Sequence, residues 1–189
     1  MMRTPSVRKH GASCEQGFTL IEALISMFVL TIGLLTLAGV VGLAMASTQS
    51  AHEDMIAKQL ANEAMESIFA ARDSSQNPWA SINNVSNGGI FMDLPQAINL
   101  PGADGVIGTA DDGPAQVLHE PGPDGIIGTA DDVNEYLTNF QRTIAIVPVV
   151  LNGLQSATLR QVNITIQYTT PQNNTPKTYV LSGYISEYH

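Results

Sequence analysis

A single acidic side chain interrupts a long apolar stretch near the N-terminus. Glu22 is the only ionisable side chain between Gly17 and His52. A carboxylate at the edge of an apolar helix is costly unless a cation pairs with it. An α-amino group at Phe18 would be a suitable cation, because residues four apart share one side of a helix. The simpler alternatives are a carboxylate that reaches the membrane interface or one stabilised by the positive start of the helix.

A duplicated acidic segment is the second candidate site. Residues 101–112 recur at 121–132, with 10 of 12 positions identical and no Lys or Arg nearby. Ca²⁺ takes roughly six to eight oxygen ligands, and glycines let a chain wrap closely around an ion. The alternative is a pair of hairpin turns with solvated aspartates, in which Val106-Ile107 and Ile126-Ile127 form short strands. The segment favours calcium sites built from Asp104, Asp111 and Asp112 in one copy and Asp124, Asp131 and Asp132 in the other.

Composition disfavours several other functions. The net charge is −9, and the eight basic residues form no stripe along the chain, so direct nucleic-acid binding is not expected. The four histidines, His10, His52, His119 and His189, do not cluster in sequence, so neither a zinc site nor a catalytic site is expected. No nucleophile elbow or phosphate loop occurs, so the chain is not expected to be an enzyme. The single cysteine, Cys14, has no partner for an internal disulfide.

Charge and hydropathy divide the chain into four parts. Residues 1–17 are short and basic, 18–46 are apolar, 47–73 are amphipathic, and 74–189 carry turn and strand signals. The charge-free part of the apolar region would span about 36 Å as a helix, enough to cross a hydrocarbon core of about 30 Å. A secretory signal peptide is the main alternative, but its apolar region is usually only about 7–15 residues long.

The helical pattern continues without proline beyond the apolar region and should end near Arg72. Its second half has apolar residues at helical spacing, which predicts one buried stripe. The predicted stripe consists of Ala51, Met55, Leu60, Ala64, Met65 and Ile68, with Glu53 among the residues of the polar face.

Three strands are predicted after a loop that covers residues 101–132. They are Phe140–Val150, Arg160–Tyr168 and Tyr179–Ile185, and a further short strand is expected near Ile90–Met92. Their short connections predict an antiparallel meander, and the amphipathic half-helix would cover its apolar face. The predicted fold class is therefore α+β, with one long N-terminal helix packed on a small antiparallel sheet.

The junction at the end of the basic leader resembles the cleavage and methylation site of type IV prepilins. The matching residues are Gly17-Phe18-Thr19-Leu20-Ile21-Glu22, followed by the uncharged helix. The resemblance implies that a prepilin peptidase cleaves after Gly17 and methylates the Phe18 amine. It also implies that Glu22 pairs with the N-terminal amine of a neighbouring subunit and guides its assembly.

Within this superfamily, residues 20–26 and 30–35 are most similar to PilV-like minor pilins. The resemblance implies a structural subunit that helps pilus assembly, adhesion, motility or DNA uptake. Its partners would be membrane lipid before assembly, the inner-membrane assembly platform, and other major and minor pilins. The three basic residues of the leader favour the cytoplasmic side, which gives a single pass through the inner membrane with a periplasmic C-terminal domain.

Two departures from major pilins favour a minor subunit. Gly39 stands where many major pilins carry a helix-breaking proline, and no cysteine pair is present to close a C-terminal loop. A minor pseudopilin of a type II secretion system has a similar opening and is one alternative. A single-pass anchored periplasmic binding protein is the other.

Overall fold

A computed structural model describes residues 18–74, 76–170 and 173–188. The leader, including the predicted cleavage position Gly17, lies outside these residues. The described chain divides into two compact units, with the boundary between Met45 and Ala46.

The helix α1 spans Leu20–Asp73, which confirms the single long helix. In the second unit it buries a stripe that includes Ile56, Leu60, Ala64 and Ile68 against the sheet. The predicted stripe was partly wrong, because Ala51 and Met55 lie on the exposed face. Glu53, which was assigned to the polar face, is only 2% exposed. The stripe is therefore rotated slightly from the predicted one.

Four antiparallel strands lie side by side in the main sheet, in the following order. They are β1 Gln96–Ala97, β4 Phe140–Leu151, β5 Leu154–Thr170 and β6 Asn173–Ser186. The last three follow one another in the sheet, so the meander is confirmed. Alternate residues of β5 from Val162 to Tyr168 are buried in one core with the helix stripe. A Cβ at Gly183 would lie 3.0 Å from Cε of Met65, so the helix passes close to β6.

A separate two-stranded sheet corrects the prediction that residues 101–132 are entirely loop. Its strands are β2 Val117–Glu120 and β3 Val133–Tyr136, and the second copy of the acidic segment joins them. Neither Val106-Ile107 nor Ile126-Ile127 forms a strand. The expected strand near Ile90–Met92 is reduced to an isolated bridge from Phe91 to Asn84. Two single-turn 3₁₀ helices, Trp79–Ser81 and Val85–Asn87, occupy the preceding segment.

Candidate functional site

The helix begins with a cap built from Thr19. The backbone N–H of Glu22 donates to the Thr19 side-chain oxygen at 3.3 Å, and this Thr-x-x-Glu spacing is typical of a helix N-terminus. The cap uses the backbone of Glu22, so it does not occupy the carboxylate. Phe18, directly before the cap, is 78% exposed. The predicted first mature residue and the predicted docking acid therefore lie within one turn of each other, both at the surface.

The first half of the helix exposes its apolar side chains on every side. Each residue from 18 to 45 is exposed, including the large side chains Phe28, Leu35 and Leu43. This is the one helix in the described part of the chain that is long and apolar enough to cross a membrane. Apolar surface of this extent is unstable in water and requires lipid or other helices around it.

The first copy of the acidic segment, residues 101–112, folds as a loop held by its own aspartates. Asp104 accepts a hydrogen bond from the backbone N–H of Val106 at 2.8 Å. The hydroxyl of Thr109 donates to Asp111 at 2.7 Å and is the largest cause of the lowered pKa of that aspartate. The backbone N–H of Thr109 donates to Asp112 at 3.3 Å.

The second copy, residues 121–132, repeats these bonds almost one for one. Asp124 accepts from the backbone N–H of Ile126 at 2.8 Å. The hydroxyl of Thr129 donates to Asp131 at 2.7 Å and likewise lowers its pKa. Asp132 accepts a backbone N–H from four residues earlier at 2.6 Å. The repeated sequence therefore encodes a repeated local structure.

A glycine in each copy permits a close backbone approach. A Cβ at Gly102 would lie 2.2 Å from the carbonyl oxygen of Asp111, and one at Gly122 would lie 2.3 Å from that of Asp131. Any larger residue would push the two ends of the loop apart. The glycine at the second position of each copy is thus required by the loop closure.

The surroundings of the two copies differ. In the first copy Val106 and Ile107 are each 4% exposed, and the Ile107 N–H donates to Ser67 of α1 at 2.9 Å. In the second copy the matching residues Ile126 and Ile127 are 60% and 66% exposed. One loop is part of the core, and the other lies at the end of the β2–β3 hairpin.

A buried arginine supplies a counter-charge to the first copy. Arg142 of β4 is 1% exposed, and its Nη2 lies 3.9 Å from Asp112. Its three guanidinium nitrogens donate no hydrogen bond within the described residues. Burial lowers the pKa of Arg142 and raises that of Asp112, while the attraction between them opposes both shifts. Sequence inspection missed this pair because Arg142 lies 30 positions beyond Asp112.

The described residues contain one group of three potential metal-ligating side chains with all ligand atoms within 4.8 Å of one another. That group is His52, Glu120 and Glu135, and none of the six loop aspartates belongs to it. The aspartates instead accept hydrogen bonds within their own loops. Calcium binding by Asp104, Asp111, Asp112, Asp124, Asp131 and Asp132 stays a prediction.

Comparison with known proteins identifies a processing motif near the N-terminus. A family model described as the prokaryotic N-terminal methylation motif matches residues 12–38, which include Phe18 and Glu22. Neither a curated protein nor a solved structure gives a match. The methylation motif implies processing by a prepilin peptidase and assembly with other pilins, and the long helix on an antiparallel sheet has the architecture of a pilin. The N-terminal motif and the architecture of this chain are therefore similar to those of type IV prepilins.

Proposed function

We propose that the chain is a minor pilin of a type IV pilus, cleaved after Gly17 and N-methylated at Phe18. The observation that carries the proposal is the fully exposed apolar helical segment from residue 18 to residue 45. Before assembly, bilayer lipid would cover this segment. In a filament, the same segments of neighbouring subunits would cover one another, with the sheet units outside.

Glu22 gives the assembly its register. Its carboxylate is the one ionisable side chain between Gly17 and His52, and an unpaired charge in a membrane-spanning helix costs up to about 2.5–3.5 kcal/mol. The new amine at Phe18 of an adjacent subunit would neutralise it. A helix one turn out of place would leave both charges unpaired in apolar surroundings, so the pair selects a single axial position.

Two features support the minor role. The helix runs without interruption through Gly39, where many major pilins carry a proline. The chain after Gly17 contains no cysteine. A subunit of this kind would help to initiate the filament or to tune adhesion, motility or DNA uptake, with its sheet unit in the periplasm before assembly.

Replacement of Glu22→Gln tests the docking role because it removes the charge and keeps the shape. We expect the variant to insert and to be processed, but to be lost from the sheared filament fraction by about tenfold or more, which corresponds to about 1.4 kcal/mol. Ser26→Ala, one turn further along the same side of the helix, is the matched control and should incorporate normally. Normal incorporation of Glu22→Gln would contradict the proposed docking step.

A minor pseudopilin of a type II secretion system would use the same processing and the same helix packing. Deletion of the gene separates the two roles. Loss of surface pili with normal secretion supports the pilus, whereas blocked secretion with normal pili supports the pseudopilus. A protein that keeps its leader and stays an anchored periplasmic binding protein would show neither defect.

A further inference from the structure

A histidine and two glutamates meet where the β2–β3 hairpin contacts the helix. His52 lies on α1, Glu120 on β2 and Glu135 on β3. Nε2 of His52 is 3.1 Å from Oε1 of Glu120 and 3.0 Å from Oε2 of Glu135. All three ligand atoms lie within 4.8 Å of one another, and each side chain is partly buried. The cluster joins the helix to a hairpin that lies far along the sequence from His52.

Strand alternation explains why both glutamates face the helix. The register pairs Glu120 with Val133 and Leu118 with Glu135, so Leu118, Glu120 and Glu135 occupy one face of the hairpin. His119 lies on the opposite face, where it contacts Asn134 at 2.7 Å. The two neighbouring residues His119 and Glu120 thus have separate environments.

The cluster has an excess of negative charge. Two carboxylates on adjacent strands repel each other unless a cation lies between them. Glu53, next to His52, adds a third carboxylate that is 2% exposed and whose Oε2 accepts no hydrogen bond within the described residues. A protonated His52 would balance only one of the two glutamates it contacts. A divalent cation would balance both.

We propose that His52, Glu120 and Glu135 bind one divalent transition-metal ion of the zinc class. Zinc bonds of about 2.0–2.2 Å to nitrogen and oxygen place tetrahedral ligand atoms about 3.4 Å apart, close to the separations found at His52. One imidazole and two carboxylates leave the fourth position to water. The imidazole disfavours Ca²⁺ and Mg²⁺, which prefer all-oxygen sites.

The ion would fasten the hairpin that carries the second acidic loop to the helix. A two-stranded hairpin is marginally stable by itself in water. Along the main sheet no comparable need arises, because the packed core holds those strands. A metal that joins β2, β3 and α1 would hold the stem of the hairpin while its loop stays exposed.

Zn²⁺ binding to the full-length, tag-free chain in detergent tests the proposal. After treatment with a chelator, calorimetry should detect one equivalent of Zn²⁺, and Co²⁺ should produce a ligand-field absorption band. His52→Gln and Glu135→Gln should each weaken Zn²⁺ binding about 100-fold or more, since even outer-shell partners are worth about 10–100-fold. Added Ca²⁺ should not compete.

His119→Ala is the matched control, because it removes a histidine from the same hairpin on the opposite face. It should bind Zn²⁺ like the wild-type chain. Glu120→Gln changes a partly exposed residue, so its fold should persist and its loss of affinity will report on the metal site alone. A wild-type dissociation constant weaker than about 0.1 mM, or equal losses in His52→Gln and His119→Ala, would overturn the site.

The pH dependence supplies a second readout. The hydrogen bond to Glu135, together with the charges of Glu120, Glu135 and Glu53, raises the pKa of His52 above its ordinary value of 6.5. Without metal, His52 therefore stabilises the fold below pH 6.5, and this contribution is lost as the pH rises through its folded pKa.

Zinc should reverse this dependence of stability on pH, because the ion binds the neutral imidazole. With Zn²⁺ present, the melting temperature should instead rise between pH 6 and pH 8. Identical pH profiles with and without Zn²⁺ would contradict the metal site.

Discussion

The two copies of the acidic segment share a structure but not an environment. In both, a threonine hydroxyl bonds the middle aspartate at 2.7 Å, and the first aspartate accepts a backbone N–H at 2.8 Å. Only the first copy buries its apolar pair and faces an arginine. Local hydrogen bonds determine the shape of each loop. Contacts with distant elements determine whether the loop packs into the core or stays exposed.

The different surroundings follow from the flanking strands. The first copy lies between β1 and β2, where it contacts Ser67 of the helix and approaches Arg142 of β4. The second copy joins β2 to β3, so it occupies the end of a hairpin. Duplication of one local motif has thus given the domain a core element and a surface element of nearly the same sequence.

Ile107→Ala and Ile127→Ala give the sharpest comparison. Removal of the buried Ile107 side chain should lower the free energy of unfolding by about 2–5 kcal/mol, because it leaves a cavity. The same change at Ile127 should stay within about 0.5 kcal/mol. Urea unfolding of the full-length chain in detergent, followed by Trp79 fluorescence, measures both, since Trp79 is the only tryptophan and packs against the core. Equal losses would contradict the assigned burial.

Asp112→Asn and Asp132→Asn test the buried counter-charge. The first change leaves the guanidinium of Arg142 without its nearest carboxylate and should cost about 1–3 kcal/mol. The second change should cost less than about 0.5 kcal/mol, because Asp132 belongs to the exposed copy. The double variant Asp112→Asn with Arg142→Met should recover part of the loss. Additive losses in that double variant would show that the two side chains do not interact.

Calcium titration asks whether either copy binds an ion. If calcium occupies the loops as the sequence predicts, a tenfold excess over the dissociation constant should stabilise the chain by about 1.4 kcal/mol. Asp131→Ala should remove more of this gain than Asp111→Ala, because Arg142 repels a cation near the first copy. Asp93→Ala, outside both copies, is the control. No change in melting temperature at millimolar calcium would contradict the calcium sites.

The sequence predicted the elements whose signals are local and periodic. Uniform hydropathy from Phe18 onward gave the helix, and alternation from Val162 to Tyr168 gave the central strand. The face of the amphipathic half was less well predicted because small residues such as Ala57 and Ala61 carry much of the buried stripe. Alanine is common on both faces of helices, so its burial is decided by the partner and not by its own type.

The candidate sites also differ in whether their residues are close together or far apart along the sequence. The prepilin-type junction could be predicted from the sequence because Gly17, Phe18 and Glu22 are close together along the chain, and cleavage there stays a prediction. The cluster of His52, Glu120 and Glu135 was not, because it joins residues separated by up to 83 positions. Scattered histidines predict no zinc site, whereas the proposed site needs only His52 and one glutamate from each strand of the hairpin.

Processing at the N-terminus is the direct test of the account. Mass spectrometry of the chain extracted from membranes of cells that contain a prepilin peptidase should detect a mature terminus at Phe18 that carries one N-methyl group. The same chain from peptidase-deficient cells should keep Met1 and the leader. An intact Met1 terminus in the competent cells would contradict the central claim that this protein is matured as a pilin.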